Sequence, residues 1–347
     1  MGPEAFDFVL PPEQIAHAPA PERTGSRMLV LGASVGHHHV RDLPSLLPPD
    51  ALMVVNTSKV VPARMHGVRA DGRSFELLLC APGPGQGPGA RIKAWVRNAK
   101  KLKPGQTLVV GDGALTVALA GLDDVDPRAR VFEVVEGDVL AACEAAGEVP
   151  LPPYITRPHG PGAEDKERYQ TVFAAAEGSV AAPTAGLHLD DAMVAALDPA
   201  HVTLHVGPGT FLPMEAPDVR DHRVGAERYA IDAENAARIQ AAREAGRPIV
   251  AVGTTATRTL ETLGRGGRPI EAGSGETDLM ITPGHRFTVV THLLTNFHLP
   301  RSSLLMLVCS LGGRERVLAA YEEAVREGYR FYSYGDCMLV CPGQTGS

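Results

Sequence analysis

Residues 248–263 read PIVAVGTTATRTLETL, and this stretch decides the fold class. Pro248 to Val252 is a nearly continuous apolar run of strand length, the pattern of a parallel strand buried on both faces. Gly253-Thr254-Thr255 interrupts it and leads into a predicted helix carrying Leu260 and Leu263. Just upstream, Asp232 is placed to cap a helix from Ala233 to about Ala245, with Ala236, Ile239 and Ala242 on one face and Gly246 as its stop. Helix, buried strand and helix in succession is α/β logic. Further strands are expected at Ala51 to Val55, His201 to Val206 and around Arg330 to Tyr334, and a helix from Arg314 to Glu327. In such a sheet, ligands bind outside the strand C-termini.

Between about Val61 and Val149 the texture changes. Short alternating runs at Phe75 to Leu79, Ile92 to Val96, Leu108 to Val110, Leu115 to Leu119 and Val131 to Val135 predict strands. A Pro- and Gly-rich loop from Ala81 to Ala90 and a turn at Lys103-Pro104-Gly105 separate some of them. Regular short strands without helical periodicity predict a small β-barrel. The expected architecture is a three-layer α/β/α catalytic domain interrupted by an inserted β-barrel, with residues 1–60 and 151–347 in the catalytic domain and residues 61–150 in the barrel.

The 347 residues suffice for two cores. No apolar run approaches the roughly 20 residues of a membrane helix. Met1 to Leu10 has acidic but no basic residues, unlike a secretory signal, so a cytoplasmic protein is expected. The five cysteines lack a CxxC pair and lie in apolar surroundings, which favours buried reduced thiols over disulfides or zinc. Three adjacent histidines, His37-His38-His39, cannot all face one ion, and no metal site is expected. A net charge of −7 argues against indiscriminate coating of nucleic acid. A local basic footprint exists nonetheless in Arg91, Lys93, Arg97, Lys100, Lys101 and Lys103 around Trp95, and Lys100, Lys101 and Lys103 are candidate phosphate contacts.

Five polar clusters carry candidate chemistry. In the first, Tyr169 to Ala174 and Gly178 to His188, small residues including Thr184 and Gly186 leave room beside His188 for an aromatic or ribose ring. The second, His205-Val206-Gly207-Pro208-Gly209-Thr210-Phe211, puts a strand end before two glycines whose N–H groups are free to meet a ligand. The third supplies a base and a carboxylate, His222 and Glu227, which share one site if the segment is looped. In the fourth, the helix start at Gly253-Thr254-Thr255 together with Arg258 suits a carboxylate or phosphate; the structural alternative is Arg258 paired with Glu261. The fifth is Leu294 to Val308, where Asn296, His298 and Arg301 precede a buried helix that Ser302 or Ser303 can cap.

Taken with Phe6 to Pro11, Val55 to Arg64, Leu151 to Ile155 and Arg330 to Asp336, these clusters resemble the S-adenosylmethionine:tRNA ribosyltransferase-isomerases of the queuosine pathway over nearly the whole chain. The resemblance implies an α/β domain interrupted by a β-barrel. It also implies transfer of the ribosyl part of S-adenosylmethionine to the aminomethyl group of 7-aminomethyl-7-deazaguanine at the tRNA wobble position. Adenine and methionine leave, and epoxyqueuosine-tRNA results. The sulfonium acidifies the 5′ carbon, so a positioned base can form an ylide. Metal and redox cofactors are not needed; S-adenosylmethionine is the co-substrate, tRNA the partner, and a monomer the default.

On this reading His188, His205, His222, His298 and Glu227 are candidate acid, base or oxyanion groups. Thr254, Thr255 and Arg258 hold the methionine carboxylate, and Asn296 and Arg301 bind ribose or tRNA phosphate. Tyr169 or Phe297 stacks on a base, and Thr184, Gly186, Gly207, Gly209 and Thr210 complete the nucleoside site. Two positions depart from the family pattern: Gly225 replaces a second histidine of the third cluster, and His285 replaces a tyrosine after Pro283-Gly284. The competing readings are an enzyme of the same fold that ribosylates a small-molecule amine, and a tRNA-binding protein without catalysis.

Overall fold

The computed structural model describes residues 1–342 except 212, 213, 215 and 220, and all their side chains but those of residues 210 and 211. The chain opens with a hairpin, β1 (Arg27–Leu31) and β2 (Val35–His39), then a single turn α1 (Leu43–Leu46) and strands β3 (Leu52–Asn56) and β4 (Ser58–Val60). Six strands follow: β5 (Arg64–Val68), β6 (Ser74–Leu79), β7 (Arg91–Val96), β8 (Thr107–Val110), β9 (Leu115–Leu122) and β10 (Ala129–Gly137). After α2 (Val139–Ala146) come α3 (Ala163–Arg168), β11 (Ala176–Ser179), α4 (Asp191–Leu197), β12 (Ala200–Leu204), β13 (Glu227–Ile231) and α5 (Ala233–Glu244). The last part holds β14 (Ile249–Val252), α6 (Gly253–Leu263), β15 (Gly273–Thr277), β16 (His292–Asn296), α7 (Ser303–Gly312), α8 (Arg314–Arg326) and β17 (Cys337–Val340).

Nine strands form one sheet in the order β15-β13-β12-β3-β14-β16-β17-β1-β2. Its centre, β12-β3-β14-β16, is parallel, as the uninterrupted apolar runs of β3 and β14 require. Antiparallel pairs flank it on both sides. Along β3, Leu52 and Val54 face a layer containing Ala236, Ile239, Leu260, Val308 and Tyr321. Met53 and Val55 face the other way, onto Leu43, Leu189 and Met193. Helices therefore cover both faces, and the three-layer expectation holds.

β5 to β10 close into an antiparallel barrel filled by Phe75, Leu77, Leu108, Val117 and Phe132. Alternate residues of each strand point inward, which is the period read from the sequence. The chain enters and leaves the barrel side by side, for Arg64 and Glu148 exchange backbone hydrogen bonds of 3.2 and 2.8 Å. This adjacency lets a barrel interrupt the α/β sheet without separating β3 from its neighbours.

Some expectations need correction. The segment 330–334 is a turn, not a strand: Tyr332 has φ +75°, and Asp336 accepts from the backbone N–H of Arg27 (3.0 Å) and Arg330 (2.8 Å). Side-chain bonds of this kind replace ladder bonds, and the strand begins only at Cys337. His37 to His39 lie on the edge strand β2, where His37 meets the Tyr329 hydroxyl at 2.9 Å and Glu323 at 3.0 Å. Of the five unpaired cysteines, Cys143, Cys309 and Cys337 are buried, but Cys80 and Cys341 are only half-buried.

Candidate active site

A cavity opens beyond the C-terminal ends of β12, β14 and β16, where an open parallel sheet places its ligands. Val206 follows β12, Gly253-Thr254-Thr255 starts α6 directly after β14, and Thr295-Asn296 ends β16. Phe297, His298 and Leu299 carry the wall onward from β16; Ala181 to Ala185, Tyr154, Tyr332 and Ser333 close the other side. The strand-to-helix switch at Gly253 needs φ +87°, a backbone conformation that favours glycine. α6 starts without a side-chain cap, so no capping side chain meets its first N–H groups. Asn56, 1% exposed, pins this corner: its amide donates to Leu204 O (3.0 Å) and Thr255 Oγ1 (3.2 Å).

The four candidate histidines part company here. Only His298 lines the cavity; its Nε2 lies 2.8 Å from Thr295 Oγ1, and its backbone N–H donates to the Tyr321 hydroxyl at 3.1 Å. Burial drives its pKa down from 6.5 to about 3, so the imidazole is neutral and burial disfavours its protonated form. His188, 4% exposed, stands behind the wall with Nε2 3.0 Å from the Asn296 amide nitrogen. Its pKa falls from 6.5 to about 4, through burial first and then the nearby Arg330 and Arg23. His205 sits under the barrel loop beside Gly178 and Pro82 rather than at the cavity, with its pKa lowered to about 4 by burial and then Arg228. His222 occupies the irregular segment before β13, also away from the wall.

These shifts have a sign. All three imidazoles stay neutral in the fold at pH values where the unfolded chain takes up protons. Their contribution to stability is therefore complete above pH 6.5 and declines as pH falls from 6.5 toward about 4 for His188 and His205 and about 3 for His298. The thermal unfolding midpoint is expected to drop across that window, and a pH series of melts checks it. A flat midpoint there would mean that water reaches these rings.

Glu227 and Arg258 form a buried ion pair with side-chain exposures of 10% and 11%, and Glu227 also accepts from Gly207 N–H at 2.9 Å. Arg258 donates besides to Leu279 O (3.0 Å) and Thr277 O (3.4 Å). Neither residue lines the cavity, and Glu227 takes these partners rather than sharing a site with His222. Nor does Arg258 pair with Glu261, whose carboxylate accepts from the N–H groups of Thr288, Val289 and Val290. Burial raises the Glu261 pKa, but these bonds and His285 outweigh it and leave it lowered. His285, one of the two departures from the family pattern, thus binds a structural carboxylate at 3.3 Å. Gly225, the other, is exposed, and a Cβ there meets nothing within 4 Å.

Thr184, Thr254, Thr255, Asn296 and Phe297 join His298 at the wall. The Phe297 ring, however, is fully buried against Tyr321, Tyr329 and Phe331, and Tyr169 is 1% exposed in a separate cluster with Tyr334. Neither is free to stack on a base. Gly186 packs beneath Phe173, and Gly207 and Gly209 sit in the turn after β12, outside the wall; the Thr210 side chain lies outside the described residues. Arg301 is exposed with φ +56° and pairs with Asp7 at 2.8 Å. Lys100, Lys101 and Lys103 are exposed at a barrel turn. Trp95, half-buried on β7, donates a 2.7 Å bond to Asp126, and Lys93 pairs with Asp123.

Two residues absent from the expected site stand at the wall: Tyr154 and Tyr332, half-buried, with ring centroids 4.2 Å apart. Tyr154 also bonds Ser333 Oγ at 2.5 Å. Their sequence signal was membership of the strings 151–155 and 330–336, which lie too far apart in the chain for spacing to join them.

Known proteins sharpen this picture. The family model described as "Queuosine biosynthesis protein" matches residues 3–340. The S-adenosylmethionine:tRNA ribosyltransferase-isomerase of Anaeromyxobacter sp. (strain Fw109-5) is 49% identical, over 96% of this chain and 97% of its own. The protein of that name from Moorella thermoacetica is 46% identical, over 97% and 99% respectively. A crystal structure of S-adenosylmethionine tRNA ribosyltransferase from Thermotoga maritima superposes with a TM-score of 0.53 at 33% identity, covering 96% of this chain and 99% of that one. With the match spanning the α/β sheet, the barrel and every segment of the cavity wall, the chain belongs to the queuosine biosynthesis protein family.

Proposed function

We propose that this chain is an S-adenosylmethionine:tRNA ribosyltransferase-isomerase. It transfers and isomerises the ribosyl group of S-adenosylmethionine onto 7-aminomethyl-7-deazaguanine at the tRNA wobble position, giving epoxyqueuosine-tRNA, adenine and methionine. The observation that carries this reading is the likeness to relatives of that name along almost the full length of both chains. The cavity is consistent with it. His298 is the one candidate histidine at the wall, which makes it the candidate base for the 5′ proton that the sulfonium acidifies. The α6 N-terminus and the hydroxyls of Thr254 and Thr255 suit the methionine carboxylate. His188, His205, His222, Glu227 and Arg258 then support the fold around the site rather than touch the reacting atoms.

The decisive experiment mixes the protein, S-adenosylmethionine and tRNA bearing the deazaguanine base. Adenine release that depends on that tRNA is expected. Tight tRNA binding without release would indicate a non-catalytic binding protein. Release with a free amine but not with tRNA would indicate a small-molecule enzyme. No described helix is long and apolar enough to cross a membrane. On this reading the enzyme works in the cytoplasm, alongside its tRNA substrate.

The exposed lysines at the barrel turn make a further prediction. Charge reversal at Lys100, Lys101 and Lys103 is expected to weaken tRNA binding and to flatten its salt dependence, the slope falling by about one for each phosphate no longer neutralised. Unchanged affinity across a salt titration would return this turn to an ordinary solvated surface.

A further inference from the structure

Asn296 is 2% exposed and lines the cavity. Its amide nitrogen is committed twice, donating to Tyr332 O at 3.1 Å and to His188 Nε2 at 3.0 Å. A backbone carbonyl can only accept, so the bond to Tyr332 sets which way the carboxamide points. His188 Nε2 must then be unprotonated, and its proton sits on Nδ1. What remains is Asn296 Oδ1, buried and without a hydrogen-bond partner in the protein. Buried acceptors are rarely left unmet, and the missing group has to be a donor. A phosphate or carboxylate has none, so the expected tRNA-phosphate role for Asn296 does not fit its geometry.

The surroundings narrow the ligand further. No described side chain at the wall bears a charge, since His298 is neutral. Ala181, Ala182, Pro183, Ala185, Val206 and Leu304 present apolar surface, and Tyr154 and Tyr332 add two rings. The hydroxyls of Thr184, Thr254, Thr255 and Ser333 on the same wall can meet a ribose, which leaves the acceptor Oδ1 for a different group. A flat neutral ring with an N–H donor on its edge would bury its faces and satisfy Oδ1.

We propose that Asn296 Oδ1 selects the adenine of the sulfonium nucleoside by accepting a hydrogen bond from its 6-amino group, with His188 and the Tyr332 carbonyl as positioning groups that orient the carboxamide. This rests on the reading above, that S-adenosylmethionine is the ribosyl donor. It assigns a specificity role, because a site built around one hydrogen bond rejects analogues that lack the partner.

The test is calorimetric titration of the full-length protein with S-adenosylmethionine, its 6-deaminated analogue, its 6-oxo analogue and its 3′-deoxy analogue. The wild type is expected to bind the 6-deaminated compound roughly 10-fold more weakly. The 6-oxo compound should bind more weakly still, because it sets two acceptors face to face. Asn296→Ala is expected to bring the 6-deaminated and parent compounds within about twofold, while discrimination against the 3′-deoxy compound persists. Equal binding of the 6-substituted analogues by the wild type overturns the proposal, whether or not the variant folds. So does a variant that loses only its 3′-deoxy discrimination, which would assign Oδ1 to the ribose. Failure of S-adenosylmethionine itself to bind the wild type, even with the tRNA present, would instead remove the proposed function and this inference with it.

Discussion

Glu227→Ala is expected to lower the free energy of unfolding by about 3–5 kcal/mol, the cost of removing one partner from a buried ion pair. Both side chains are about nine-tenths buried, so water cannot replace the lost carboxylate. Arg258 would be left with two backbone carbonyls, at 3.0 and 3.4 Å, and a full uncompensated charge. Gly207 N–H would lose its acceptor at the same time, loosening the turn that follows Val206 at the cavity wall. Glu227→Gln, which keeps an acceptor but removes the charge, should cost less. Combining Glu227→Ala with Arg258→Met should recover part of the loss, since the buried charge disappears with its partner. Urea titrations of the four proteins measure this. If the single alanine variant costs under about 1 kcal/mol, the pair is solvated and the account of this corner is wrong.

His298→Ala should reduce tRNA-dependent adenine release by about 10²–10⁴-fold, the usual contribution of a positioned acid or base. His298 is the one candidate histidine at the cavity wall. Its ring is anchored by Thr295 rather than by the core, so folding should survive. S-adenosylmethionine affinity should change little, which separates a chemical role from a structural one. His222→Ala, away from the wall, should cost less than about tenfold. His188→Ala should act differently again, weakening nucleoside binding through the freed Asn296 amide. Comparable losses of adenine release in the His222 and His298 variants, with folding intact, would reverse this ranking.

The differences between expectation and structure have specific causes. The His222–Glu227 spacing suggested a shared site, yet β13 hydrogen-bonds across the sheet so that Glu227 reaches Gly207 and Arg258. Arg258 and Glu261 are three apart on α6 and adjacent in any helix, but the backbone N–H groups of 288–290 claim Glu261. Phe297 lies within the most distinctive string of the chain, and its ring turns into the aromatic core instead of the cavity. Each partner is distant in sequence, and no local pattern encodes it.

The sequence by itself determined what depends on neighbours along the chain. The apolar run 249–252 made a buried parallel strand, and Asp232 and Ser302 capped their helices through Asn235 N and Leu305 N. Alternation between 75 and 135 marked five of the six barrel strands, β5 (Arg64–Val68) being the one not read, and the order of motifs marked the family. Only the tertiary structure decided which histidine meets the cavity, that Tyr154 and Tyr332 share a wall, and that the open atom of Asn296 is an acceptor. The physical reason is range. Propensity, periodicity and capping act over a few residues, whereas burial and hydrogen-bond satisfaction depend on chain segments that only folding brings together.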